Sequence, residues 1–136
     1  MAEVKTQRLR KELHLNFLKK AGECAALMRV ALEQGGYNAA AILAVHCGIS
    51  AADALTVFSL GVRHAGTNHA DVQRLLMQVA DPLMGQKLRH LAMLLGIKGV
   101  AEYEERLITE TNARDAVTHA ERFLSWVQGK VGATHG

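Results

Sequence analysis

The chain has 136 residues, enough for one domain with a single hydrophobic core. Apolar residues make up 49% of it and aromatic residues only 4%, with one proline and two cysteines, which excludes disorder, collagen and a disulfide scaffold and disfavours a β-sandwich. The formal net charge of +3 is mild, whereas a dedicated DNA-binding domain usually carries a basic stripe.

The basic residues are densest near the start of the chain, and their pattern is typical of a solvated helix face: Arg8, Arg10, Lys11, Lys19 and Lys20. Cys24 and Cys47 form no CxxC motif and lie in apolar helical stretches, as expected of small buried side chains in a reducing compartment. No segment resembles a signal peptide, and no apolar run approaches the roughly 18 residues of a membrane span. We therefore expect a soluble, cytoplasmic protein with no membrane partner.

The first predicted helix is amphipathic and about 25 to 30 residues long. Its apolar residues recur every three or four positions: Leu9, Leu13, Phe17, Ala21, Cys24, Met28 and Ala31. It ends at Gly35-Gly36, where a glycine can serve as the C-cap.

The second predicted helix, residues 37–60, is apolar almost all round, which is typical of the central helix of a bundle. We expect Ala44, Ile49 and Leu55 in the core. Because this helix has more apolar surface than one bundle with few aromatics is expected to cover, the sequence also predicts a symmetric homodimer.

The second half of the chain predicts three further helical segments. Thr67 or Asn68 caps a third helix, and Asp81-Pro82 opens a fourth. The core face of the third helix is predicted to consist of Val72, Leu75, Leu76 and Val79. A link at residues 96–99 leads to a short segment around residues 100–107, and the last helix starts at residues 109–111.

No segment predicts a strand. The predicted architecture is an all-α up-and-down bundle of about five helices, with one domain over residues 1–130 and a frayed tail over 131–136.

The loop before the third helix is the main candidate for chemistry. It brings Arg63, His64, Asn68 and His69 together with the free amide groups of a helix start. A histidine can move a proton and an arginine can hold the charge that develops on a phosphoryl group, so a ribonuclease built on them needs no metal. The alternative is a loop of ordinary polar residues. The seven histidines form no metal-binding motif, and we expect His14, His90 and His119 at the surface or its boundary.

A polar stripe interrupts the apolar second helix. His46, Ser50 and Asp53 are spaced four and three apart, which places them on one side. A buried carboxylate needs a partner, so Asp53 could meet Arg63, Lys98 or a partner subunit. The alternative is that the stripe faces water at a gap between helices.

Four segments of the chain follow a recognisable order: YNAAAILAVHCGISAADALTV, GVRHAGTNHADVQRLL, LRHLAMLLGIKGVAEY and ARDAVTHAERFLSWV. They read as an alanine-rich helix led by tyrosine, a loop with a histidine that opens a helix, an AEY turn, and an alanine-spaced terminal helix. In this order the chain resembles the HEPN family (higher eukaryotes and prokaryotes nucleotide-binding) over residues 21–127. The resemblance implies a bundle of four or five helices that often dimerises.

Many members of that family are metal-independent ribonucleases that act as toxins or in antiviral defence, with a motif of Arg, four to six residues, then His. Here Arg63 and His69 match it, with five residues between them. The resemblance implies that His69 is the general acid and base, that Arg63 stabilises phosphoryl charge, and that His64 or Asn68 orients the substrate, with no cofactor.

Other members lack the motif and bind nucleotides or assist a nucleotidyltransferase partner. The family's RxxADY-like turn corresponds here to residues 98–103, with Lys98 in place of the more usual arginine. We assign Asp53, Lys98 and Tyr103 to substrate binding beside His64 and Asn68. The sequence predicts a protein that binds nucleotide or RNA and whose catalytic form is an endoribonuclease of toxin–antitoxin or defence type. The predicted partner is a nucleotidyltransferase or an antitoxin. The alternative is a non-catalytic binding or assembly module.

Overall fold

A computed structural model describes residues 4–66 and 68–132 of the chain. The predicted cap at Thr67 and residues 133–136 of the predicted tail lie outside the described residues. Within them the chain forms five α-helices and two short strands, which confirms the helical bundle. In chain order the elements are β1 (Thr6–Arg8), α1 (His14–Glu33), α2 (Tyr37–Leu60), β2 (Val62–His64), α3 (Asp71–Leu76), α4 (Met84–Tyr103) and α5 (Glu110–Gly132).

Helix α2 is the centre of the bundle and packs against α1, α3, α4 and α5. Ala44 and Leu55 are buried in the core as predicted, whereas Ile49 is only half-buried because it faces a cavity. A Cβ atom at Gly48 would lie 2.5 Å from Leu94 Cδ1, so glycine permits the close approach of α2 and α4.

A single chain covers most of α2, so the argument for a dimer from uncovered apolar surface on this helix is wrong. By length and composition, α2 is the one helix among the described residues that could cross a membrane, and 67% of its most apolar window is buried inside the bundle.

Residues 6–8 are extended and not helical, so the prediction that the chain has no strand is wrong. A 3₁₀ turn over Lys11–Leu13 precedes α1, and β1 pairs antiparallel with β2, with Gln7 opposite Arg63. Gly61, at φ 70°, turns the chain after α2, and its carbonyl accepts the Leu9 amide at 2.9 Å. A strand of three residues is too short to show a periodic pattern in the sequence.

Helix α4 runs through the glycines that were predicted to interrupt it. Gly96 and Gly99 both lie inside the helix with open space beside them. Each costs about 1 kcal/mol of helix propensity. Burial of Leu91 and Leu94 against the bundle opposes that cost, so the predicted link is wrong. At its start, Asp81 Oδ1 accepts the Leu83 amide at 2.7 Å, and the helix begins at Met84, two residues after Pro82.

The two other helices follow the predicted patterns with shifted ends. Asn68 Oδ1 accepts the Ala70 amide at 3.0 Å before α3 begins at Asp71, so Asn68 forms a turn and does not cap the helix. Thr109 caps α5, since its Oγ1 accepts the Asn112 amide at 3.1 Å. Helix α5 continues to Gly132, past the predicted start of the tail. The predicted core face beside α3 is buried: Val72, Leu75, Leu76 and Val79.

Candidate functional site

A cavity of about 240 Å³ lies between α2, β2 and the start of α3. It brings together four of the residues that the sequence predicts for the site: Asp53 on α2, Arg63 and His64 on β2, and His69 in the following loop. The rest of its lining consists of Gln7, Ile49, Ala65, Gly66 and Val72. Arg63 and His69 therefore face a shared space.

Asp53 and Arg63 form an ion pair at the base of this cavity. Arg63 Nη2 donates to Asp53 Oδ2 at 3.2 Å, and the guanidinium lies 5.0 Å from the centroid of the Phe17 ring on α1. Of the partners that the sequence left open for Asp53, the structure has Arg63; Lys98 binds Glu102 instead. Burial raises the pKa of Asp53 to about 6, against the lowering effect of Arg63.

The two histidine rings of the cavity lie 5.9 Å apart, centroid to centroid. His64 Nε2 and His69 Nδ1 are buried and accept or donate no hydrogen bond among the described residues, and the same holds for Arg63 Nε. Buried polar atoms normally have partners, so three such atoms around one cavity indicate a place where a polar ligand can bind.

Burial lowers the pKa of both histidines. The positive charge of Lys98 lowers the pKa of His69 further. At His64 the positive charge of Arg63 lowers the pKa, whereas the negative charge of Asp71 raises it. Both rings are therefore mostly neutral at neutral pH and can accept a proton.

Gly66 brings the loop close to one of these rings. A Cβ atom at Gly66 would lie 3.2 Å from His64 Nε2, which is tighter than ordinary side-chain contacts. A larger residue at this position would therefore press on the His64 ring and narrow the cavity.

A second polar cluster lies next to the cavity, on α2 and α4. Lys98 Nζ donates to Glu102 Oε2 at 2.9 Å and lies 5.0 Å from the centroid of the exposed Tyr103 ring. His46 Nε2 is 3.3 Å from Glu102 Oε1. None of these residues lines the cavity, but Lys98, Glu102 and His46 all act electrostatically on His69.

Asn68 does not join either group. Its side chain is exposed, and its Oδ1 is bonded to the Ala70 amide. Of the predicted site residues, the structure thus places Asp53, Arg63, His64 and His69 in the cavity, Lys98 and Tyr103 in the second cluster, and Asn68 at the surface. Among the described residues, no group of three or more His, Cys, Asp or Glu side chains is arranged to hold a metal ion.

Two residues of this region are missing from the sequence prediction. Gln7 reaches the cavity because β1 pairs with β2, and a three-residue strand leaves no signal in the sequence. Glu102 follows Lys98 by four residues, and in a helix this spacing predicts an ion pair. The ion pair was not predicted, because a link was expected at residues 96–99 and residues 98–102 were therefore not treated as part of one helix.

Comparison with known proteins defines the fold. No family model matches the sequence, and no curated protein matches it significantly. Among solved structures, the chain is similar to the crystal structure of ST0689, an archaeal HEPN homologue, with a TM-score of 0.63 and 22% sequence identity over 90% of this chain and 98% of that chain. The protein therefore has a HEPN-like fold, as the sequence resemblance implies.

Proposed function

We propose that this protein binds RNA at the cavity between α2, β2 and α3 and cleaves it without a metal ion. The observation that carries the proposal is that Arg63, His64 and His69 line one cavity and that each has a buried nitrogen atom with no hydrogen-bond partner among the described residues. A phosphate group can accept hydrogen bonds from an arginine and a histidine in such a place.

The reaction uses the RNA's own nucleophile. His69, in its neutral form, takes the proton of a 2′-hydroxyl, whose oxygen attacks the adjacent phosphorus atom. The bond from phosphorus to the 5′ oxygen breaks, and His69 returns a proton to that leaving oxygen. The products are a 2′,3′-cyclic phosphate and a 5′-hydroxyl end. Arg63 stabilises the charge that develops on the phosphoryl oxygens, and His64 orients the phosphate.

The lowered pKa of His69 sets the pH dependence of this reaction. His69 must be neutral to accept the first proton, and protonation at low pH blocks that step. Since burial lowers its pKa below the ordinary value of 6.5, the acidic limb of the rate profile has its midpoint below pH 6.5, and activity is high near neutral pH.

A cleavage assay in EDTA tests the proposal, with labelled RNA and the wild type beside His69→Ala and Arg63→Ala. Wild type is expected to cleave and both variants to lose activity. Arg63→Ala leaves the buried Asp53 carboxylate without its partner and can therefore destabilise the fold. The double variant Arg63→Ala/Asp53→Asn removes both charges, so it controls for loss of activity through unfolding. No cleavage by the wild type, or equal cleavage by all variants, contradicts the catalytic proposal.

Binding without cleavage is the second candidate function. The Asp53–Arg63 ion pair favours it, because a guanidinium already held by a carboxylate has less charge to offer a transition state. RNA bound by the wild type with no 2′,3′-cyclic product would identify this function. Its partner would then be a nucleotidyltransferase, whereas an active ribonuclease would pair with an antitoxin.

A homodimer stays a prediction, but its physical basis is no longer the apolar surface of α2. Because α2 is covered within one chain, the exposed apolar side chains that a partner could cover lie elsewhere, with Leu15, Leu27 and Val30 on α1. Light scattering at micromolar concentration tests this, and a mass of only 14.8 kDa would contradict it.

A further inference from the structure

A second depression of about 420 Å³ lies beside the cavity, against α1. It shares Gln7 and Arg63 with the cavity, so the two spaces meet at the paired strands. Its apolar floor includes Leu9 and Phe17. Together the two depressions form one groove, and Arg63 lies in it between α1 and the pair of His64 and His69.

Lys19 and Lys20 give the α1 side of this groove a positive rim. Both are exposed, and neither has a carboxylate partner within residues 4–66 and 68–132, although Glu23 also lines the depression. Elsewhere many basic side chains are paired with a carboxylate: Arg29, Arg74, Lys98, Arg106, Arg114 and Lys130.

Lys20 belongs to the same electrostatic environment as the cavity. Its ammonium lies 5.4 Å from the centroid of the Phe17 ring, which also carries the Arg63 guanidinium at 5.0 Å. The charge of Lys20 also acts on the Asp53 carboxylate at the base of the cavity. A polyanion bound at Arg63 would therefore be attracted along α1 as well.

We propose that Lys19 and Lys20 form a second phosphate-binding subsite, so that single-stranded RNA runs from His69 across Arg63 onto the face of α1. This inference rests on the proposed RNA binding at the cavity. The floor of the depression offers no exposed aromatic ring, because Phe17 is buried. The subsite therefore holds the backbone phosphates and adds little sequence preference.

The test compares RNAs of two lengths under non-cleaving conditions. Fluorescence anisotropy measures the binding of a dinucleotide and an octanucleotide, both 2′-O-methylated, to the wild type and to Lys19→Gln/Lys20→Gln at several salt concentrations. Affinity for a single strand falls with salt, and each phosphate contact contributes about −0.7 to the slope of log affinity against log salt. In the variant, the octanucleotide slope is expected to become shallower by about 1.4, and the dinucleotide slope to stay unchanged.

Two further variants serve as matched controls. Arg89→Gln/Arg122→Gln removes the same charge from residues that line neither depression, and it should keep the wild-type slope. Lys19→Arg/Lys20→Arg keeps the charge on α1 and should retain octanucleotide binding.

The outcomes separate this inference from the proposed function. If the wild type binds neither RNA, both the proposed function and the second subsite are wrong. Suppose instead that the wild type binds the octanucleotide and that Lys19→Gln/Lys20→Gln changes the salt dependence of this binding no more than Arg89→Gln/Arg122→Gln does. In that case only the second subsite is wrong.

Discussion

Two pairs of histidine rings among the described residues differ in their hydrogen bonding. His90 on α4 and His119 on α5 lie with their Nδ1 atoms 2.9 Å apart, so each ring is the hydrogen-bond partner of the other. His64 and His69 have ring centroids 5.9 Å apart, and each has a buried nitrogen without a partner among the described residues. The first pair is joined by a hydrogen bond within the protein, and the second has hydrogen-bonding capacity left for a ligand.

The pKa values alone do not separate these pairs. Burial lowers the pKa of His90, with His119, Lys87 and Arg122 adding to the effect, just as burial lowers the pKa of the cavity histidines. A shifted pKa thus reports desolvation at both places. A cavity does not separate the pairs either, because His119 lines a depression of about 530 Å³. The unpartnered nitrogen atoms are what favour the His64–His69 pair as a functional site.

The largest expected effect is on cleavage. His69→Ala should lower the rate by about 10²- to 10⁴-fold, because it removes the general acid and base. His119→Ala removes a histidine of the other pair and should leave the rate within about twofold, since His119 does not line the cavity that holds Arg63 and His69. Single-turnover cleavage in EDTA measures both, and a comparable loss in the two variants would show that the pairs do not differ in function.

The next effect concerns the buried carboxyl group beside the first pair. Because the pKa of Asp53 is about 6 in the folded protein and 3.8 ordinarily, the folded state binds more protons than the unfolded state between those values. Stability from this group is present at low pH and lost as the pH rises through 6. Relative to Asp53→Asn, the wild type should therefore lose about 1–3 kcal/mol of unfolding free energy between pH 4 and pH 7.

Denaturant unfolding of both proteins at several pH values measures this difference. A wild type that gains stability over Asp53→Asn as the pH rises would show that the ion pair with Arg63 outweighs the cost of burying the carboxylate.

The smallest effect concerns the second pair. The pKa of His90 lies below its ordinary value of 6.5, so the folded state binds fewer protons than the unfolded state just below pH 6.5. Stability falls as the pH falls through that range. His90→Asn removes this titration and should flatten the curve of stability against pH between pH 6.5 and 5. Thermal melts across this range check it, and an unchanged or steeper slope would contradict it.

The sequence by itself was sufficient for the helical class and for the centre of the bundle. The apolar character of residues 37–60 predicts the central α2, and the spacing around Val72 predicts the core face of the third helix. These patterns are readable because the period of a helix repeats over many residues. It also predicts that Arg63 and His69 lie near each other, because only five residues separate them.

Tertiary structure decided what depends on contacts between distant segments. Pairing of β1 with β2 brings Gln7 to Arg63, packing of α4 on the bundle carries that helix through two glycines, and the fold selects Arg63 as the partner of Asp53. None of these has a local signature, because a short strand shows no period and a buried carboxylate does not identify its partner. The groove between the histidines and α1 also has no local signature in the sequence. Its two sides are about 45 residues apart in the chain and come together only when the helices pack.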